Sequence, residues 1–289
     1  SQTRRNIWYD DTGGSGPVIV FSHGFLMDRT MFEPQIQVLR QKYRCISWDQ
    51  RGHGATATDR LYPFDFYDSA QDLANLLQVL NIKNAVLVGM SQGGFLTLRY
   101  ALTNLGAGIV RGLILIDTEA AEMPPDAIKS NDGLLQMWTS KGYSAPLADA
   151  IAGQIIGPSP PGFGGPLQSW KNKWGQTTFP NLIQSFNALT TRDDVTLALS
   201  AIKWRTLVLH GTKDATIPIA QGQAMAAGLA NAQFFPIEGA GHASCLTFPN
   251  LVNPYILSFL QQLPATHSEP AHKDSAQPAK KPRGFWRRS

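Results

Sequence analysis

The stretch AVLVGMSQGG at residues 85–94 decides the fold. Its first part, Ala85–Val88, is a short apolar run that predicts a buried strand. Its second part has the form G-x-S-x-G around Ser91, and the apolar segment Phe95–Leu102 that follows predicts a helix. In such a sharp turn from strand to helix, the serine hydroxyl stands above the sheet with the positive end of the helix beneath it. The stretch therefore predicts a nucleophilic serine at the end of a central strand.

Short apolar runs alternate with helical patterns on both sides of this turn. This alternation predicts an α/β fold with a mostly parallel central sheet and helices on both faces. In such sheets, reactive groups collect at the carboxyl ends of the strands. Further strands are predicted at Asn6–Asp10, Val18–Phe21, Tyr43–Trp48, Leu113–Ile116, Leu207–Leu209 and Gln233–Ile237, and further helices at Thr30–Gln41, Ser69–Leu80 and Leu251–Leu263.

One interval, between Ile116 and Leu207, is longer than the roughly ten to twelve residues that a crossover connection needs. It is rich in aromatic residues and contains the run GPSPPG. We interpret residues 122–194 as an inserted helical cap with a loop in its middle, carried by a core of residues 1–121 and 195–264. Residues 265–289 are poor in apolar residues and predict a disordered basic tail.

The composition limits the classes of function. The chain has 289 residues, of which 43% are hydrophobic, so it can bury a large core. Six of the 25 Lys and Arg residues and two of the 21 acidic residues lie at 265–289, so the remaining body carries 19 of each and is neutral. A nucleic-acid-binding body needs a basic stripe, so nucleic acid is not an expected partner. The tail is interpreted as solvated, with contact to an anionic surface as the alternative.

Apolar stretches and cysteine content further limit the cellular location and the class of protein. No apolar stretch approaches the ~20 residues of a membrane span, and no signal peptide is visible, so we expect a cytoplasmic location. Cys45 and Cys245 are the two cysteines, which excludes a disulfide scaffold or a Cys-rich zinc module.

A serine hydroxyl is a poor nucleophile unless a base takes its proton. His242 follows the last predicted strand in a glycine-rich loop and is the predicted base. Asp214, just past Leu207–Leu209, is predicted to orient the imidazole, and Asp117 is the rival acid. Of the other histidines, His23 and His210 are interpreted as orienting or packed residues, His53 as fixing a loop, and His267 and His272 as solvated residues of the tail.

An oxyanion that develops during acyl transfer needs two fixed donors. The predicted donors are the backbone N–H groups of Gln92, which follows the nucleophile, and of Phe25, which Gly24 allows to turn inward. The Phe25 side chain is also expected to line the acyl pocket. The predicted pocket residues are Phe25, Met90, Trp138, Trp170 and Trp174.

Residues 6 to about 263 resemble the α/β-hydrolase superfamily. The motifs that carry the likeness are SHGF (22–25), DQRGHG (49–54), GMSQGG (89–94), HGTKD (210–214) and GAGH (239–242). Within the superfamily, the chain resembles the branch of carboxylesterases, enol-lactone hydrolases, cofactor-free haloperoxidases and carbon–carbon bond hydrolases. The resemblance implies a parallel-sheet core with a helical cap inserted after the sixth strand.

The same resemblance excludes two related activities. Epoxide hydrolases and haloalkane dehalogenases use an aspartate nucleophile, whereas this chain has Ser91. Epoxide hydrolases also use tyrosines from the cap, and Tyr143 is the only tyrosine between Glu119 and Trp204.

The expected activity is hydrolysis of a small, partly apolar carboxylic ester or lactone through an acyl-enzyme, with neither cofactor nor metal. Two alternatives stay open at this stage. One is cleavage of a carbon–carbon bond in a vinylogous diketone by the same triad, and the other is ligand binding without catalysis. Perhydrolysis is a further expected side activity, because peroxide can replace water in deacylation.

Overall fold

A computed structural model describes residues 6–58, 60–103 and 108–264. Seven strands form one sheet in the order β1-β3-β2-β4-β5-β6-β7, and every neighbouring pair is parallel except β1 with β3. The predicted α/β class with a mostly parallel sheet is therefore confirmed. The strands are β1 (Tyr9–Asp11), β2 (Val18–Ser22), β3 (Arg44–Trp48), β4 (Ala85–Met90), β5 (Val110–Ile116), β6 (Thr206–Gly211) and β7 (Ala232–Ile237).

Helices cover both faces of the sheet. Alternate residues of the central strands enter two separate apolar clusters, with Val86 and Val88 of β4 in one and Leu87 in the other. Since both sets are buried, the central strands are continuous apolar runs, as a sheet covered on two faces requires. The helices are α1 (Glu33–Leu39), α2 (Phe66–Val79), α3 (Gln92–Leu102), α4 (Pro125–Lys141), α5 (Ala145–Ile155), α6 (Gly164–Trp174), α7 (Phe179–Thr190), α8 (Ile219–Gly228), α9 (Ser244–Thr247) and α10 (Pro249–Gln262).

The helices α4 to α7 lie in the long interval between β5 and β6, and a loop separates α5 from α6. They follow the fifth strand of the described sheet, not the sixth strand that the resemblance implies. The indole nitrogen of Trp174 donates a 2.8 Å hydrogen bond to the carbonyl oxygen of Leu26, which ties α6 to the loop after β2. The division at residues 122 and 194 stays a prediction, and the predicted tail at 265–289 lies outside the described residues.

One predicted helix differs from the structure, and one observed helix was not predicted. In place of one helix over Thr30–Gln41, a 3₁₀ turn at Arg29–Phe32 precedes α1. The side chain of Asp28 caps this turn, and Pro34 in the first turn of α1 restarts the chain as an α-helix. The helix α8 was not predicted, because IAQGQAMAAG has no clear apolar period.

Within the described ranges, no helix is long and apolar enough to cross a membrane. The cytoplasmic location stays a prediction.

The turn from β4 to α3 is built on a close approach of two backbones. A Cβ atom added at Gly93 would lie 1.9 Å from the carbonyl oxygen of Ser22, at the end of β2. Only glycine at this position lets the start of α3 lie against the end of β2, and this contact places Ser91 beside the loop after β2.

We expect Gly93→Ala to destabilise the fold by about 1–3 kcal/mol, because a methyl group would force these two backbones apart. The matched control is Gly153→Ala in α5, where an added Cβ would contact nothing within 4 Å. That control should gain roughly 0.5–1 kcal/mol, since alanine is the better helix residue. Denaturant unfolding measures both changes, and equal stability of the two variants would contradict the packing argument.

Candidate active site

Ser91 lies at the point where β4 turns into α3. Its backbone has φ +50° and ψ −119°, a conformation that non-glycine residues rarely adopt. The strain is held in place by hydrogen bonds on both sides of the residue. The N–H of Ser91 donates to the carbonyl oxygen of Ile116 at 2.9 Å, and the hydroxyl of Thr118 donates to the Ser91 carbonyl at 2.9 Å. The backbone of Ser91 is thereby fixed at the junction of β4 and α3.

His242 and Asp214 reach Ser91 from the two strands at one edge of the sheet. Asp214 follows β6, and His242 follows β7. The Ser91 hydroxyl donates to His242 Nε2 at 2.8 Å, and His242 Nδ1–H donates to Asp214 Oδ2 at 2.8 Å. The structure thus joins the three residues that the sequence proposes as nucleophile, base and acid.

The Asp214 carboxylate is held on both oxygens. Its Oδ1 accepts the backbone N–H groups of Thr216 and Ile217, each at 2.9 Å. Its Oδ2 lies 3.2 Å from His210 Nε2 as well as accepting from His242. Four donors therefore face one buried carboxylate, and its orientation toward His242 is fixed.

Burial alone would raise the pKa of the Asp214 carboxyl, but the charge of His242 and the hydrogen bonds from His210, His242 and Ile217 outweigh it and lower that pKa. Burial alone would likewise lower the pKa of the His242 imidazole. The charge of Asp214 and its hydrogen bond, with the charge of Asp117, reverse this and raise the His242 pKa above its ordinary value. The site therefore stabilises a proton on His242 once it has been taken up.

Asp117, the rival acid, occupies a different place. Its Oδ1 accepts the backbone N–H of Gly211 at 2.9 Å, and its Oδ2 accepts that of Ser244 at 2.8 Å. Burial raises the pKa of the Asp117 carboxyl to about 6. Asp117 thus links the end of β6 to the segment just after His242, and it supports the loop that carries the imidazole.

The other described histidines have structural partners. His23 Nδ1–H donates to the carbonyl oxygen of Gly24 at 2.8 Å, and its Nε2 accepts from the Gln50 N–H at 3.0 Å. His210 Nε2–H donates to the carbonyl oxygen of Ile217 at 2.8 Å, and His53 Nδ1–H donates to that of Arg51 at 3.0 Å. These contacts agree with packed or loop-fixing roles. His267 and His272 lie outside the described residues.

Asp117, His210 and Asp214 are also a cluster of potential metal ligands, with their ligand atoms within 4.8 Å of one another. Each carboxylate already accepts two or more hydrogen bonds from the protein, and His210 Nε2 is committed to Ile217 and Asp214. Hydrogen bonds within the protein therefore hold these three side chains in position.

One predicted oxyanion donor, Gln92, directly follows the serine, and the other, Phe25, belongs to the loop after β2. Gln92 is the first residue of α3, where backbone N–H groups have no acceptor in the helix. Gly24, which precedes Phe25, lies close to the nucleophile. A Cβ atom added at Gly24 would be 3.5 Å from the Cβ atom of Ser91. Gln50, which was not among the predicted site residues, connects the two segments. Its side-chain NH₂ donates to the His23 carbonyl oxygen, and its side-chain oxygen accepts from the side-chain NH₂ of Gln92.

A cavity of about 180 Å³ opens beside Ser91 and His242 and extends between the core and the helices α4, α5 and α7. Of the predicted pocket residues, Phe25 lines it, with its ring edge-on to Phe186 at 4.8 Å between centroids. Most of its other lining residues are apolar, among them Phe95, Leu134, Ile151, Ile155, Leu189 and Ile217.

The prediction was wrong for the other four pocket residues. Met90 is fully buried in the core, and the Trp138 ring packs at a tilt against Tyr143 among the inserted helices, with 5.1 Å between the ring centroids. Trp170 is buried against Lys173, and Trp174 is buried with its indole bonded to the loop after β2. Each large side chain packs among the inserted helices or in the core, and none of the four lines the cavity.

The cavity wall also contains an ion pair that was not predicted from the sequence. Arg192 donates to Glu119 Oε1 at 2.6 Å, and both side chains are buried. The two residues are 73 positions apart, and no local pattern marks either of them.

A family model described as alpha/beta hydrolase fold matches residues 17–249. The chain belongs to this family, as the parallel sheet, the turn at Ser91 and the order of the three site residues indicate.

Similar proteins fall in the branch suggested by the motifs. The chain is 30% identical to the non-heme haloperoxidase of Rhodococcus erythropolis, over 88% of this chain and 96% of that protein. It is 26% identical to 3-oxoadipate enol-lactonase 1 of Acinetobacter baylyi, over 81% and 85%. A solved structure of a thermophilic esterase from Thermogutta terrifontis matches with a TM-score of 0.77 at 27% identity, over 88% of this chain and 93% of the other.

Proposed function

We propose that this protein is a serine hydrolase that cleaves a small carboxylic ester or lactone through an acyl-enzyme. The observation that carries the proposal is the 2.8 Å hydrogen bond between the Ser91 hydroxyl and His242 Nε2, backed by the 2.8 Å bond from His242 to Asp214. A hydroxyl with a base at this distance, and a base held by a carboxylate, is the arrangement that activates a serine.

Catalysis begins when Ser91 Oγ attacks the carbonyl carbon and His242 takes the hydroxyl proton. The ionised Asp214 stabilises the resulting imidazolium and keeps Nδ1 protonated, so that Nε2 is free to accept. His242 then gives its proton to the leaving alkoxide, which leaves as the alcohol. His242 then takes a proton from a water molecule, whose oxygen attacks the acyl carbonyl carbon. The bond between that carbon and Ser91 Oγ breaks, His242 returns the proton to Oγ, and the carboxylic acid leaves.

The oxyanion formed at each attack is held by the N–H groups of Phe25 and Gln92. Fixed donors aimed at the developing charge contribute a large share of the rate in such reactions. The first turn of α3 adds its positive potential to the Gln92 N–H. Gln50 supports both donors through its hydrogen bonds to His23 and Gln92.

The substrate class follows from the cavity and the relatives. A small cavity with mainly apolar walls suits a small, partly apolar acyl group. The names of the similar esterase and enol-lactonase support an ester or a lactone as the bond that is cleaved. His242 carries out every proton transfer in this scheme. The proposed reaction therefore needs neither a metal nor a nucleotide.

Perhydrolysis is the second candidate activity, and the name of a similar protein, the bifunctional esterase/perhydrolase of Acinetobacter calcoaceticus, favours it. Hydrogen peroxide would attack the acyl-enzyme in place of water, the carbonyl–Oγ bond would break, and a peroxycarboxylic acid would leave.

No described contact favours carbon–carbon cleavage. The complete hydrogen-bond chain at Ser91 favours catalysis over binding alone.

We expect Ser91→Ala to lower kcat on p-nitrophenyl acetate by at least about 10³-fold while the unfolding transition stays in place, because the nucleophile is lost but its packing is not. The matched control is Ser185→Ala in α7, whose buried hydroxyl has no hydrogen-bond partner among the described residues. It should keep near wild-type activity. Undiminished turnover by Ser91→Ala would rule out the proposed nucleophile.

The pH dependence of kcat/KM should report His242 in the free enzyme. The imidazole must be neutral to accept the serine proton, so activity should fall as the pH drops through the His242 pKa. Since the pKa is raised, the inflection should lie above pH 6.5. Asp214→Asn should move the inflection to lower pH and reduce kcat on the order of 10⁴-fold. A flat profile between pH 5.5 and 8.5 would exclude His242 as the base.

A further inference from the structure

The cavity beside Ser91 has one charged feature in an otherwise mainly apolar wall. Of its described lining residues, Glu119 and Arg192 are the two that carry a full charge. Both side chains are buried, and they form an ion pair at 2.6 Å. A buried pair is weak evidence for stability, because desolvation offsets most of the attraction. Its position in the cavity wall suggests a role toward the substrate.

Arg192 has little hydrogen-bonding capacity left to offer a ligand. Its Nε donates to the carbonyl oxygen of Ala121 at 3.1 Å, one terminal nitrogen donates to that of Leu189 at 2.9 Å, and the other donates to Glu119. The Cζ atom of the Arg192 guanidinium lies over the Phe95 ring, 4.5 Å from the ring centroid. Arg192 is therefore fixed in place and serves mainly to hold Glu119.

Only one of the two carboxylate oxygens of Glu119 has a hydrogen-bond partner among the described residues. Its Oε1 accepts from Arg192, whereas its Oε2 has no hydrogen-bond partner among the described residues. The residue is also close to the nucleophile in the structure, because it directly follows Thr118, whose hydroxyl donates to the Ser91 carbonyl. The pair thus presents the cavity with a free acceptor and with no net charge.

We infer that Glu119 is a specificity-determining residue, and that its free carboxylate oxygen accepts a hydrogen bond from a hydroxyl group on the acyl part of the substrate. This inference rests on the proposed hydrolase function. The acyl part is assigned to this cavity because its wall includes Phe25, the proposed oxyanion residue. A hydroxyl fits better than an ammonium group, since Arg192 lies beside the same carboxylate and would repel a cation. A substrate carboxylate would meet Glu119 as a like charge and is excluded.

The wild-type enzyme tests this with methyl esters that differ in one group. Methyl 3-hydroxybutanoate and methyl 3-methylbutanoate differ by a hydroxyl in place of a methyl group. Methyl 4-hydroxyphenylacetate and methyl 4-methylphenylacetate differ in the same way, with the variable group further from the ester carbonyl. We expect the hydroxyl ester to have at least a tenfold higher kcat/KM in one of the two pairs, because an analogue without the donor leaves a buried acceptor unpaired. Monomethyl succinate should be the poorest substrate. A ratio below ten in both pairs, or a preference for methyl 3-aminobutanoate over its hydroxyl analogue, would overturn the inference.

Glu119→Gln supplies the sharper comparison. Arg192 will engage the amide oxygen, so the amide NH₂ will face the cavity and a donor will replace the acceptor. The hydroxyl-to-methyl ratio should fall at least tenfold, and monomethyl succinate should gain relative to methyl 3-methylbutanoate. The matched control is Glu122→Gln, an exposed glutamate three residues further on that does not line the cavity. It should leave both ratios unchanged, and an equal change in the control would assign the effect to overall charge instead.

Removing one partner of a buried pair can prevent folding. Glu119→Met/Arg192→Met removes both charges together, and it should lose the hydroxyl preference as well. The unfolding transition shows which variants are folded, and the wild-type ratios alone still decide if neither variant folds. Failure of the wild type to cleave any of the esters would remove the proposed function. Cleavage with ratios that survive both Glu119 variants would remove the role of Glu119 alone.

Discussion

Two hydrogen bonds join residues that the chain keeps far apart. Ser91 and His242 are separated by 151 positions, and Asp214 and His242 by 28, yet each bond measures 2.8 Å. The bonds are possible because β4, β6 and β7 are parallel, so their carboxyl ends meet at one edge of the sheet. The remaining contacts serve this geometry. Gly93 lets α3 lie against β2, the N–H groups of Thr216 and Ile217 hold Asp214, and Asp117 supports the loop that carries His242.

The inserted helices form the outer wall of the cavity above the sheet edge. Ser91 and His242 face a cavity whose outer wall is built by α4, α5 and α7, so a substrate placed there would lie between the core and these helices. The burial of His242 and Asp214 strengthens the attraction between Asp214 and a protonated His242. In the same surroundings, the Glu119–Arg192 pair is the charged feature against which a substrate hydroxyl can be recognised.

Much of this arrangement could be predicted from the sequence, because the decisive signals are local. The apolar run before Ser91 and the small residues around it specify a strand, a turn and a helix, and the glycine-rich loops place Asp214 and His242 after strands. The cavity lining could not be predicted, since the apolar pattern does not say which way an aromatic side chain on a cap helix points. Trp138, Trp170 and Trp174 pack inside the protein rather than around the cavity. The Glu119–Arg192 contact links positions 73 residues apart, and only the tertiary structure brings them together.

The most direct test of the hydrogen-bonded triad is reaction with a fluorophosphonate, followed by mass-spectrometric mapping of the adduct. An activated serine attacks the phosphorus and releases fluoride, so the account predicts a single adduct on Ser91, formed rapidly in the wild type and very slowly in His242→Ala. An adduct on another residue, or a folded protein in which Ser91 stays unlabelled, would contradict it.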